Sequence, residues 1–144
     1  MKKYLAEFIG TFFLMITIVM AVGSGAGSFA PIAIGTALIG MIYAGGHISD
    51  AHYNPAVTLS ACLIGVCKWK DAPGYIIAQL IAATFAAILG KYLVIKMGDE
   101  LKSSSSLDFM TGAIAEFIGT FALVYVILNV AFAKGTAGNS HYGI

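Results

Sequence analysis

An all-α membrane protein, with four spanning helices and one half-helix that enters the bilayer without crossing it, is predicted by three observations. Of the 144 residues 59% are hydrophobic and 10% charged, and the mean hydropathy is +0.89; a soluble domain carries roughly 25% charged residues. Four apolar runs are long enough for a bilayer. A fifth, too short to cross, is preceded by the polar cluster HISDAHYN at residues 47–54.

The spans are expected at about Tyr4 to Val22, Ala30 to Ala44, Ala72 to Ile95 and Leu107 to Phe132, since crossing about 30 Å of hydrocarbon takes roughly 20 helical residues. The second needs its flanking glycines to reach that length. The opening lysines followed by an apolar core have the outline of a secretory leader. Glu7 inside that core argues against one, and so does a repeat. AEFIGTF stands at Ala6 to Phe12 and again at Ala115 to Phe121, an offset of 109. The second copy is internal, so the first is read as a retained span, and duplication within a membrane protein suggests repeated bundles, often inverted. Residues 1–106 are assigned to a first repeat and 107–144 to the start of a second.

Between the second and third spans, Pro55 to Cys67 is too short to cross and reads as re-entrant. Lys68, Trp69 and Lys70 mark a membrane surface, with Asp71 a candidate N-cap and Pro73 in the first turn of the next span. KMGDELKSSSS, residues 96–106, reads as a solvated loop. If the dipping segment returns to its own side, Lys2, Lys3, Lys68, Lys70 and Lys134 share one face and Lys91, Lys96 and Lys102 the other, which favours a cytoplasmic N-terminus. The net charge of +1 and the absence of a basic patch exclude a nucleic-acid partner.

Unwound backbone inside a membrane is tolerated only where protein shields it or water wets it. Residues 46–53 are expected to be unwound in this way. Asn54-Pro55 then starts a helix: asparagine is a preferred cap, and proline suits the first position because its missing N–H would be unpaired there. The Asn54 side-chain oxygen is expected to accept from a first-turn amide such as that of Val57, turning its NH2 outward. Backed by the positive end of a helix dipole, that donor suits a neutral molecule and opposes a cation. Loop carbonyls would supply acceptors. The pattern describes a polar track, without the nucleophile, base and oxyanion donors of an enzyme.

GHISDAHYNPAVT, preceded by AEFIGTF, resembles the first half of the major intrinsic proteins, the aquaporins and glycerol facilitators, over nearly the whole chain. The resemblance implies an aquaporin-like bundle in which two Asn-Pro-Ala half-helices meet at the membrane centre. It also implies passive conduction of water or a small uncharged solute such as glycerol, with no cofactor. It further implies a homotetramer when complete and a multi-pass location in the plasma or inner membrane. Asn54, Pro55 and Ala56 match the first motif; the repeat offset puts a second near position 163, past Ile144, so this chain is expected not to form the pore alone. By the same resemblance Asp50, Ala51, His52 and Tyr53 line the track, with Asp50 where the family usually has glycine. Ile34 falls at a constriction position, and Glu7 and Glu116 support the pore loops, as Gln79 does by bridging elements.

Other readings remain. A proton-coupled exporter acting as an antiparallel dimer, with Glu7 as its ion site, fits the length, and a non-functional fragment fits equally. His47 and His52 lack the acid or thiol that would complete a metal site. Cys62 and Cys67 read as reduced small hydrophobes. Gly10 and Gly119 are read as close helix contacts, and the tail from Lys134 as unordered.

Overall fold

The computed structural model describes residues 1–98, 108–140 and 142–143. Among the described residues the regular structure is helical, with five principal helices: α1 Lys2–Gly23, α2 Ala30–Ser49, α3 Pro55–Leu63, α4 Ala72–Lys96 and α5 Phe109–Ile127, which a π-helical turn extends through Leu128–Phe132. All but α3 are long and apolar enough to span a membrane. The second span gains its length from a 3-10 turn at Gly27–Phe29 and from running on to Ser49.

Helix α1 packs against both α2 and α4. Small residues let the pairs close: Ala82, Ala86 and Gly90 of α4 are buried, and a side chain at Gly90 would strike Val19. Close approach of this kind is how helices associate where lipid removes the hydrophobic drive. Helix α5 has no buried residue and meets the others mainly through α3 and through Phe132, which packs on Ala61, Cys62, Cys67 and Ala72.

The half-helix lies antiparallel to α4. Thr58 meets Gln79, while further along Cys62 clusters with Ala72 at the start of α4. At about 1.5 Å per residue Gln79 is ~10 Å into α4, and Asn54, one turn before Thr58, is at ~16 Å, about half of a ~30 Å hydrocarbon layer. Its nine residues reach only ~14 Å, so α3 goes back to the face it came from. That face is stitched together by Lys3, whose Nζ lies 2.6 Å from Asp71 Oδ2, and by Tyr4, whose hydroxyl donates to Asp71 Oδ1 at 3.2 Å. The Lys3 ammonium holds the Asp71 carboxyl below the usual carboxylate range, first through this hydrogen bond.

Several expectations change. Asp71 makes no capping bond to α4 because Lys3 and Tyr4 take its carboxylate. The loop expected over residues 96–106 and the boundary at 106/107 lie largely outside the described residues, as does Leu107; α5 begins at Phe109, capped by Asp108, which accepts from Thr111 N at 3.3 Å. A side chain at Gly119 would meet nothing, so it is no close helix contact here. The described residues of the tail from Lys134 are folded against the rest. Tyr43 donates to Ser140 O at 2.8 Å, the Tyr142 ring lies tilted against Tyr43 with centroids 5.0 Å apart, and Thr136 Oγ1 donates to Asn129 O at 2.9 Å. Glycines that suggested disorder instead allow close approach, since Gly143 lies against Tyr43 and Ile42.

Candidate functional site: the re-entrant loop and half-helix

The unwound stretch is Asp50 to Asn54, shorter than the sequence suggested, because α2 runs through Gly46 to Ser49 and ends when Asp50 N donates to Gly46 O at 2.9 Å. Asp50 is left-handed at φ 62°, as its residue type permits, but Ala51 and Tyr53 are also positive, both at φ 50°. Such conformations cost roughly 1–2 kcal/mol each for residues with a Cβ.

Glu7 supplies the compensation. One carboxylate oxygen accepts from Ser49 Oγ at 2.7 Å and His52 N at 3.0 Å; the other accepts from Tyr53 N and Gln79 Nε2, both at 2.7 Å. Four donors match the acceptor capacity of one ionised carboxylate. Ala51 N donates to Ser49 Oγ at 3.3 Å, so three consecutive loop N–H groups are taken by Glu7 or by the hydroxyl bonded to it. With the donors pinned on one side, no described donor meets the carbonyls of Asp50, Ala51, His52 or Tyr53.

Tyr53 locks the loop from the other side. Its hydroxyl donates to Met41 O at 2.8 Å and its ring lies over Gly10 and Gly45, where any Cβ would overlap it. Gly10 thus makes room for a loop tyrosine rather than for a neighbouring helix.

His52 is buried against Tyr75, ring centroids 5.0 Å apart, and edge-on to Phe132. Thr58 Oγ1 donates to Asn54 O at 3.2 Å and accepts from Gln79 Nε2 at 3.0 Å, so its contact with His52 Nδ1 at 3.2 Å is best completed by an Nδ1–H donor. Nε2 is then a bare acceptor, and it has no partner among the described residues.

Asn54 caps α3 in extended conformation, φ −153° and ψ 131°, accepting from Ala56 N at 2.7 Å rather than from Val57. Proline at the first position leaves Ala56 as the first free donor, and the short side chain reaches it. The consequence expected of the cap survives the change of partner: the oxygen is fixed and no described group meets Nδ2.

Ala56 and Ser60 of α3 face Ala113, Glu116, Phe117 and Thr120 of α5 across a cavity of about 470 Å³. Glu116 is exposed and no described residue bonds it, whereas Glu7 at the equivalent repeat position is buried. Ile34 is half-buried in the first turns of α2, ~10 Å along the helix from Met41. Ser49, Thr58 and Tyr75, whose hydroxyl donates to Ser49 O at 3.2 Å, complete the network and were not singled out from sequence. Only Thr58 left a signal, standing one turn after the Asn54 cap.

Four apolar spans around a short half-helix that does not cross define a polytopic membrane protein. The family model described as major intrinsic protein matches residues 1–143, and the chain belongs to that family. It is 38% identical over 148 residues to a rice protein (Oryza sativa subsp. japonica) named aquaporin NIP1-4, an alignment covering 96% of this chain and 54% of the relative. With maize (Zea mays) aquaporin NIP1-1 it shares 37% identity over 142 residues, 90% of this chain and 49% of the relative. It is also 38% identical over 141 residues to glycerol uptake facilitator protein-like 6 of Lactiplantibacillus plantarum, covering 90% of this chain and 63% of that protein. The chain thus spans about half the length of the curated relatives it matches. The family consists of channels rather than enzymes.

Proposed function

We propose that this chain forms one half of a passive channel for water or a small uncharged solute such as glycerol. The observation that carries the reading is the unpartnered Asn54 amide at the amino end of α3, reached along loop carbonyls that no described donor meets. Carbonyls hand a solute's hydroxyl hydrogens along the path. The amide NH2, backed by the helix dipole, then turns the solute by donating to its oxygen, and the same positive end opposes cations. Asp50, Ala51, His52 and Tyr53 supply the path, and Asn54, Pro55 and Ala56 form its inner end. Ile34 sets a constriction toward the other face.

The exposed Glu116 carboxylate and the groove beside α5 fit a second loop and half-helix, held as Glu7 and Gln79 hold the first. The complete assembly is a homotetramer in a plasma or inner membrane, with the N-terminus on the cytoplasmic side. The exporter reading needs Glu7 free to exchange ions, whereas four internal donors occupy its oxygens.

The test is stopped-flow light scattering from vesicles. Residues 1–144 alone should give no water or glycerol flux above lipid. Grafted in place of the matching part of the L. plantarum relative, they should give flux that Asn54→Asp lowers at least about tenfold, since a carboxylate offers no donor. Equal flux from graft and Asn54→Asp graft would overturn the proposal.

A further inference from the structure

Independently of conduction, we infer that Cys62 and Cys67 form a two-sulfur site for a copper(I) ion at the membrane face where α3 ends. Both cysteines carry free thiols. They share one buried cluster with Ala61 and Ala72, because the chain turns back after α3: Val66 N and Cys67 N both donate to Ala61 O, at 2.9 and 3.1 Å. Soft thiolate ligands select copper(I), zinc and iron–sulfur clusters, and of these copper(I) accepts linear coordination by two sulfurs. Among the described residues no group of three or more His, Cys, Asp or Glu could hold a metal; a linear two-sulfur site needs none, whereas four-coordinate zinc does.

Charge favours the same ion. Each thiol loses its proton to solvent as copper(I) leaves its carrier ligand, and one positive ion between two thiolates is a complex of net charge −1 with no change of oxidation state. Cys67 borders a cavity of about 400 Å³ whose walls include Lys3, Lys68 and Lys70 against Asp50 and Asp71. That excess of one positive charge balances the complex, and the cavity gives the ion its way in.

The experiment is competition for copper(I) alone, buffered by a chromogenic copper(I) chelator, with the purified chain in detergent. The wild type should withdraw one equivalent of copper. Cys62→Ser and Cys67→Ser should each lose it, and Lys68→Glu with Lys70→Glu should weaken it about tenfold while leaving the thiols in place. X-ray absorption at the copper edge should show two sulfur neighbours. The inference is overturned if the double cysteine variant competes as the wild type does, if the wild type withdraws no copper, or if the bound ion shows nitrogen or oxygen neighbours only.

Discussion

Replacing Glu7 with glutamine removes one charge and adds one N–H2 group at the centre of the loop's support. If the glutamine oxygen serves Ser49 and His52, its amide faces Tyr53 N and Gln79. Gln79 can turn and present Oε1, which has no partner in the native structure, at the expense of its Nε2 bond to Thr58, but the Tyr53 backbone N–H cannot turn. In the opposite orientation the Ser49 hydroxyl rotates to accept and His52 N is orphaned instead. Either way one buried backbone donor is lost, at about 1–3 kcal/mol, and three remaining bonds change from charge-assisted to neutral, about 1 kcal/mol each. The sum, about 4–6 kcal/mol, is close to the roughly 3–6 kcal/mol stored in three positive-φ residues. The loop should therefore open locally. Amide hydrogen exchange at His52 and Tyr53, read in detergent or bilayer by mass spectrometry, should accelerate by about three orders of magnitude in Glu7→Gln. Exchange within tenfold of wild type at both amides would refute the view that Glu7 holds the loop.

Three further outcomes follow from the same contacts. Gly45→Ala and Gly10→Ala should each destabilise the fold by about 1–3 kcal/mol in detergent unfolding; adding Tyr53→Phe should rescue Gly45→Ala, which meets mainly the hydroxyl, but not Gly10→Ala, which meets the ring. Asn54→Ala should cost about 1 kcal/mol through the lost cap, measurable as a lower midpoint in the same unfolding. The Lys3–Asp71 pair has a folded Asp71 carboxyl below its unfolded range, so its stabilisation is present above about pH 4 and is lost as pH falls through the folded value. A double-mutant cycle on melting temperature should show coupling at pH 7 that declines once pH falls below about 4 and through the folded value; coupling that never declines in acid would contradict the pairing.

Much of this fold could be read from residue type and spacing. Apolar run length located the spans, the duplicated AEFIGTF marked corresponding helices, and Asn54-Pro55 located the start of α3, since cap and proline preferences are local. What escaped depended on contacts between distant segments. Nothing near Gly46 shows that α2 continues to Ser49, because its end is set by Glu7 gathering Ser49, His52 and Tyr53 from 42 to 46 residues away. The Gly10 partner is a tyrosine 43 positions on, not a helix. Identical heptapeptides suggested identical roles for Glu7 and Glu116, yet one is buried under a loop and the other exposed on α5. A repeat reports helix type and face; occupancy of that face depends on what packs against it.

The central claim is that α3 begins deep in the bilayer with its amide open. A nitroxide attached at Asn54→Cys, in a background where serine replaces both native cysteines, reports its depth through relaxation by lipid-soluble and water-soluble agents. The account predicts a position about 16 Å below the face carrying Lys3 and Asp71, near the middle of the hydrocarbon. A label found at headgroup level would contradict it.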